Sequence, residues 1–273
     1  MKIGSPPSHN HGKSDILFKR FIDEFSFKLS DTKEEKSKVF GLRYKVYCEE
    51  LGYEKPYKEN QKLEIDSHDD TSYHCLLTHK KSGLSAGCMR LVIPRESGPY
   101  PLDVLPLEQS CYSSLKHPEI HPRLMPESRI CEVSRLAVPL HFRRQKTLNN
   151  EEISSHIEHQ DISAEHSQLF PLISISLFLA ATALVGIVER HHVFAMMEPR
   201  FARLLGRFGL KFNRIGEIID YHGSRAAYYI DQRQAEITMN PSLHPLYLHI
   251  HETLSQQYAT AFLHQRHATV TNY

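Results

Sequence analysis

The chain has 273 residues, 40% hydrophobic and 24% charged, enough for one large α/β domain or two small ones. Its 33 basic and 32 acidic side chains leave a net charge of +1, which removes any general reason to expect nucleic acid as a partner. Five cysteines, an odd number with no C-x-x-C pair, argue against a disulfide framework and for reduced thiols in a cytoplasmic protein. The polar opening MKIGSPPSHNHGKSD lacks the apolar stretch of a signal peptide, and residues 1–20 read as a disordered lead-in. Phe25, Phe27 and Leu29 alternate with Ser26, Lys28 and Ser30, the period of a half-buried strand. Asp31 and Thr32 followed by Glu34 and Glu35 form a helix start, in which a side-chain oxygen caps free backbone N–H groups. That helix is expected to run to about Glu50 with Val39, Leu42 and Val46 on one face, and Gly52 ends it.

Tyr53 to Asp70 is polar, contains Pro56 and has no periodicity, so it reads as a long loop or flap. Ser72–His79 and Ser85–Ile93 are strand-like runs around a turn with Gly83, a hairpin. A loop rich in proline and serine, Pro94 to Pro126, leads to a strand at Ile130–Val138. The basic stretch His141–Lys146 follows, then a polar insert from Thr147 to Gln168.

Phe170 to Val188 is nineteen residues without a charge, close to the ~20 that cross a bilayer. Because a normal α/β pattern resumes after it, a helix buried against a sheet is preferred over a span. A strand at His192–Met197 comes next. A helix opened by Pro199 and closed by Gly209 follows, then strands at Lys211–Tyr221 and Arg225–Ile230. The tail after Asp231 carries a helix pattern at His251–His267 and reads as an appendage. The nineteen histidines lack tight ligand spacing with cysteine or carboxylate support, so no metal site is expected.

This order of elements resembles the GNAT acyltransferase fold, a mixed central sheet flanked by helices. Arg43-x-x-x-Tyr47, Gly52-Tyr53, Glu64-x-Asp66-x-x-Asp69, Gly87-Cys-Met-Arg90 and Glu132-x-Ser134-Arg135 resemble the acyl-homoserine-lactone (autoinducer) synthases. The blocks PRLMPESRICEVSRLAV, then FRR, and MEPRFARLLGRFGLKFNRIGEIIDYHGSRAAYYI resemble the PEP-CTERM/exosortase system-associated acyltransferases, which sit close to the N-acyl amino acid synthases. The resemblance covers roughly residues 25–231. It implies an acyltransferase domain over 21–231, followed by a C-terminal extension over 232–273.

The implied activity is N-acyl transfer from an acyl-phosphopantetheine thioester to the amine of an amino acid or related small molecule, with no tightly bound cofactor. Glu132 is the candidate base, with a structural ion pair to Arg135 or Arg90 as its alternative. Ser134, Arg135 and Arg90 complete the candidate catalytic set. Arg43, Tyr47, Tyr53, Asp66 and Asp69 are candidates for holding the acceptor. Arg43 would take its carboxylate and the aspartates its ammonium, unless the Asp–Arg pairs instead hold the flap.

Arg143, Arg144 and Lys146 suit a thioester arm's phosphate and an acidic acyl carrier protein, or are a solvated charge run. Two departures matter. Tyr53 stands where the autoinducer synthases carry a flap tryptophan, which counts against S-adenosylmethionine as acceptor. The stretch Pro139–Lys146 also lacks the Q/R-x-x-G-x-G/A loop that cradles coenzyme A pyrophosphate, which favours a carrier-protein thioester. An autoinducer-type synthase and a non-catalytic acyl-binding module remain as alternatives. On a regular strand Glu132 and Arg135 face opposite ways, so a shared site demands a bulge between them.

Overall fold

The computed structural model describes residues 11–58, 60–94, 104–143 and 169–270. Arg144, Lys146 and the Thr147–Gln168 insert lie outside the described residues. The elements are α1 (His11–Glu24), β1 (Phe25–Ser30), α2 (Lys33–Arg43), a π-helical turn (Tyr44–Glu50), β2 (Ser72–His79), β3 (Ser85–Val92), α3 (Pro106–Cys111), β4 (Ile130–Ala137) and α4 (Leu140–Arg143). The second half adds α5 (Phe170–Ile187), β5 (His192–Met197), α6 (Pro199–Arg207), β6 (Asn213–Arg214), β7 (Ile219–Asp220), β8 (Ser224–Asp231), α7 (Gln232–Thr238) and α8 (His244–Val270).

One sheet runs in the order β1-β2-β3-β4-β5-β8-β6, with β7 paired to β8. All neighbours are antiparallel except β4 and β5.

Local chemistry produced the elements expected of it. Thr32 Oγ1 accepts the Glu35 N–H while Glu35 reaches back to the Thr32 N–H, the reciprocal cap that starts α2. Val39, Leu42 and Val46 are buried, and Gly52 adopts φ +64 as the chain leaves the helix. On one face of the sheet, α5 and α8 bury the largest apolar cluster, to which β1 contributes Phe25, Phe27 and Leu29. Gly87 of β3 lets α5 approach: a Cβ there would lie 2.8 Å from Leu177 Cδ1. Among the described residues no helix is long and apolar enough to cross a membrane.

Four expectations need correction. Part of the lead-in is the helix α1, because Phe18 and Phe21 sit at helical spacing and are buried in the main core. The Pro94–Pro126 loop contains α3, opened by Pro106, whose missing N–H is tolerated at a first helical position. The strand expected over Lys211–Tyr221 is only β6 and β7, since the chain leaves β8 at Gly216 to bridge Leu115. The tail is more than an appendage. α7 caps on Asp231, and Leu246, Ile250 and Leu254 of α8 enter the main core. Gln257 of α8 satisfies the free edge of β1, accepting from Leu29 N–H at 2.8 Å and donating to Phe27 C=O at 3.0 Å.

Gly209, at φ +89, closes α6 against α7, and a Cβ there would meet the Thr238 carbonyl oxygen at 2.0 Å. Gly209→Ala is expected to cost about 3 kcal/mol or more, from the left-handed backbone and the clash together. Urea denaturation checks this; an unchanged midpoint contradicts it.

Candidate active site

The candidate side chains are placed by an interruption of the sheet. β4 and β5 pair at Ile130↔His192, Cys131↔Val193 and Glu132↔Phe194, and there the pairing ends although both strands continue. A cleft therefore opens between Val133–Ala137 and Ala195–Met197, with Glu132 at its apex. Ile130 and Phe194 belong to the apolar cluster under α3, whereas Cys131 and Val133 belong to the α5 side. By strand alternation Glu132 lies on the α3 face.

The bulge required by the E-x-S-R spacing is present. Two steps on β3, Cys88 to Arg90, are matched by three on β4, Ala137 to Ser134. Arg135 takes up the extra residue at φ 49, a left-handed backbone costing about 1–2 kcal/mol for a residue with a Cβ. Its side chain is thereby turned onto the face of Ser134. Leu136 packs toward the α5 core, and Ala137 joins the small cluster under α2. Tyr47, from the π-helical turn, donates to the freed Leu136 carbonyl at 2.9 Å, and burial pushes its phenol up to about 12.

Around the bulge lies a cluster of three guanidiniums and four carboxylates. Arg43 Nη1 and Nη2 donate to Asp69 Oδ1 and Oδ2 at 2.6 and 3.1 Å, and its Nε donates to Glu64. Arg90 Nη1 donates to Asp66 at 2.6 Å and Asp69 at 2.8 Å, and its Nε to Ser134 Oγ at 3.0 Å. Arg135 donates to Glu64 and Glu54, each at 3.1 Å, and its Nη2 also pairs with Asp66. Burial alone would raise Asp66 and Asp69; the arginines overturn it, Arg90 first for Asp66 and Arg43 first for Asp69, and hold both below the usual range.

The Asp–Arg pairs thus tie the flap to the sheet. Arg43 is 0% exposed with its guanidinium engaged, and Asp69 spends both oxygens on arginines. Of the two roles the sequence leaves open for Arg43 and Asp69, this is the contact that the flap-holding one requires. Asp66, Arg135 and Glu54 remain partly exposed, at 26%, 20% and 29% of their side chains.

Glu132 stands apart from this cluster. It is 2% exposed and forms no ion pair with Arg90 or Arg135 among the described residues. Its carboxylate Oε2 accepts the Leu107 N–H of α3 at 2.8 Å. Burial pushes it up to about 8, opposed by that hydrogen bond and by Arg90 and Arg135. Arg90 Nη2 is buried with no hydrogen-bond partner.

Tyr53, at the end of the flap, stacks on His222 in the β7–β8 turn, with ring centroids 4.7 Å apart. Arg143, partly exposed, pairs with Glu50. Among the described residues no group of three or more His, Cys, Asp or Glu is placed to hold a metal ion. Sequence reasoning missed the Leu107 amide, for which Pro106 and Glu108 were the available helix-start signal, and the pairing of Glu54 with Arg135.

A profile of the GNAT acetyltransferase domain matches residues 42–150. The chain has a GNAT-like fold. Comparison with curated proteins found no match. Among solved structures it is similar to TofI in a ternary complex with an inhibitor and MTA, at 18% identity and TM-score 0.53, covering 81% of this chain and 99% of that one. BjaI, a CoA-dependent acyl-homoserine lactone synthase with SAM and isopentyl-CoA, matches at 17% identity and TM-score 0.53, covering 83% and 89%. FeeM, an N-acyl amino acid synthase from uncultured soil microbes, matches at 13% identity and TM-score 0.51, covering 81% and 97%. These likenesses establish the fold, and the apex of the cleft coincides with the E-x-S-R motif read from the sequence.

Proposed function

We propose that this chain is an N-acyltransferase that moves a fatty acyl group from a phosphopantetheine thioester to the amine of a small molecule. The observation that carries the reading is Glu132, a buried carboxyl without an ion-pair partner among the described residues, where β4 and β5 part. A carboxyl pushed up to about 8 is matched to taking a proton from an ammonium group. In the step, Glu132 accepts one proton from the ammonium, the freed nitrogen attacks the thioester carbonyl, and the C–N bond forms. As the C–S bond breaks, the departing thiolate takes the second nitrogen proton, leaving a neutral amide and a thiol, and the proton on Glu132 passes to solvent.

The unpartnered Arg90 Nη2 is a fixed donor for the oxyanion, held in place by Ser134 and Asp66. Four carboxylates against three guanidiniums leave the flap side of the cleft negative, which favours an ammonium.

Direct transfer is preferred over a thiol intermediate. Burial pushes the Cys75 and Cys88 thiols up to about 12 and Cys111 to about 11, far from a reactive thiolate. The apolar cavity lined by Val133, Phe178, Val193, Leu210 and Ile230 is only about 20 Å³, room for little more than a water molecule, so an acyl chain there would require α5 to move away from the sheet. The missing pyrophosphate loop favours an acyl carrier protein as donor. The MEPR…YHGSR block supports an exosortase-associated acyltransferase within the same chemistry.

The test is thiol release from octanoyl and palmitoyl thioesters of coenzyme A and of acyl carrier protein, with a panel of amino acids and S-adenosylmethionine. Release with an amino acid is expected. Release with S-adenosylmethionine alone turns the reading to an autoinducer-type synthase, and none with any acceptor leaves an acyl-binding module.

A further inference from the structure

Arg43, the arginine expected to grip a carboxylate, is sealed in the cluster, so a different side chain must meet any anion in the cleft. Arg225 is the second residue of β8, beside Ala226, which pairs with Met197 at the far end of β5. Ala227 and Tyr229, two and four residues on, belong to the cluster under α3, so alternation puts Arg225 on the face of Glu132. Tyr229 pairs with Phe194 at the apex. Arg225 is therefore four residues away, about 13 Å along the sheet.

The environment of Arg225 differs from that of the other arginines in the cleft. Its Nε is buried without a hydrogen-bond partner, and no carboxylate pairs with it among the described residues. Its guanidinium carbon lies 5.8 Å from the Tyr53 ring centroid, and Tyr53 is itself stacked on His222. Glu54, the next flap residue, holds Arg135 on the opposite wall. The flap thus bridges the mouth of the cleft and sets an arginine there in a partly buried place with donors to spare. A guanidinium in that setting is suited to bidentate recognition of a carboxylate.

Resting on the N-acyltransferase reading, we propose that Arg225 anchors the acceptor's carboxylate at the mouth of the cleft. The acceptor is then an amine that carries a carboxylate, with its nitrogen directed to Glu132.

Two measurements test this. In the thiol-release assay, each amino acid is compared with the amine left when its carboxylate is removed. Arg225→Met should raise the acceptor KM of the amino acids roughly tenfold to a hundredfold, leave the thioester KM unchanged and spare the decarboxylated amines. Arg225→Lys should recover part of the loss. A raised thioester KM instead assigns the residue to the donor's phosphate and overturns the proposal, as does an equal loss with acids and amines.

The second measurement does not need turnover. N-palmitoylglycine and N-palmitoylmethylamine, which differ in the carboxylate, are titrated calorimetrically into the wild type and Arg225→Met. The acid should bind about tenfold more tightly to the wild type, and the variant should erase the difference. Equal binding by the wild type overturns the carboxylate anchor. Absence of thiol release with every acceptor overturns the acyltransferase reading and leaves this titration to decide the role of Arg225.

Discussion

Glu132→Gln is expected to lower turnover by about 10²- to 10⁴-fold, the usual range for loss of a general base, while the fold becomes more stable. Gln keeps an oxygen to accept the Leu107 N–H, so the contact to α3 survives. The gain in stability follows from linkage. Burial raises Glu132 from its ordinary 4.5 to about 8 in the folded chain. The folded state therefore holds a proton that the unfolded state has lost, and stability falls as pH rises through that window. Glutamine carries no such dependence. The stability difference between variant and wild type should be small at pH 4, grow between about pH 5 and 8, and level off above it. Wild-type turnover should rise over the approach to pH 8 as the carboxylate forms, and that limb should vanish in the variant. Chemical denaturation across pH, with thiol-release profiles, reads both. Unchanged thiol release removes Glu132 from the chemistry. A stability difference independent of pH removes the raised carboxyl.

Arg43→Met should produce the largest loss of stability, about 3–5 kcal/mol at neutral pH, because it strips the partner from a buried pair and leaves Glu64 and Asp69 without it. The side chain is replaced by one of similar length, so a cavity is not the main cost. Asp69 is held below its usual range in the folded chain by Arg43 and Arg90 against the effect of burial. That stabilisation is present above the ordinary carboxylate range and is lost as pH falls through the folded value. The penalty of the variant should accordingly shrink toward acid pH. Urea titrations of both proteins at neutral pH and at pH 3 check the sign. A role for Arg43 in gripping the acceptor predicts the reverse: unchanged stability and a raised acceptor KM.

These two residues show where reading the sequence succeeds and where it stops. Glu132 was legible only through the resemblance of E-x-S-R to the family motif, and the need for a bulge because a strand's period of two puts Glu132 and Arg135 on opposite faces of a flat sheet. The bulge at Arg135 resolves it as required. Arg43 was legible only as an arginine near aspartates, with gripping a ligand and holding the flap equally open. Its complete burial favours the flap. Arg225 carried no signal beyond its place in the YHGSR block. Its significance comes from a buried Nε with no hydrogen-bond partner among the described residues, while Arg43, Arg90 and Arg135 each have at least two carboxylate partners.

Elements built from contacts a few residues apart were determined by the sequence itself. They include the Thr32–Glu35 cap, the β2–β3 hairpin, the apolar helix α5 and the Gly209 stop. Their causes are backbone geometry and side-chain period, which act within one or two turns of chain. The tertiary structure decided which charges meet. Arg43 finds Glu64 across 21 residues, and Arg135 finds Glu54 across 81. It also decided that α3 places an amide on Glu132 and that α8 closes the core. With 33 basic and 32 acidic side chains in the chain, charge alone admits many pairings, and only the burial of specific faces selects among them.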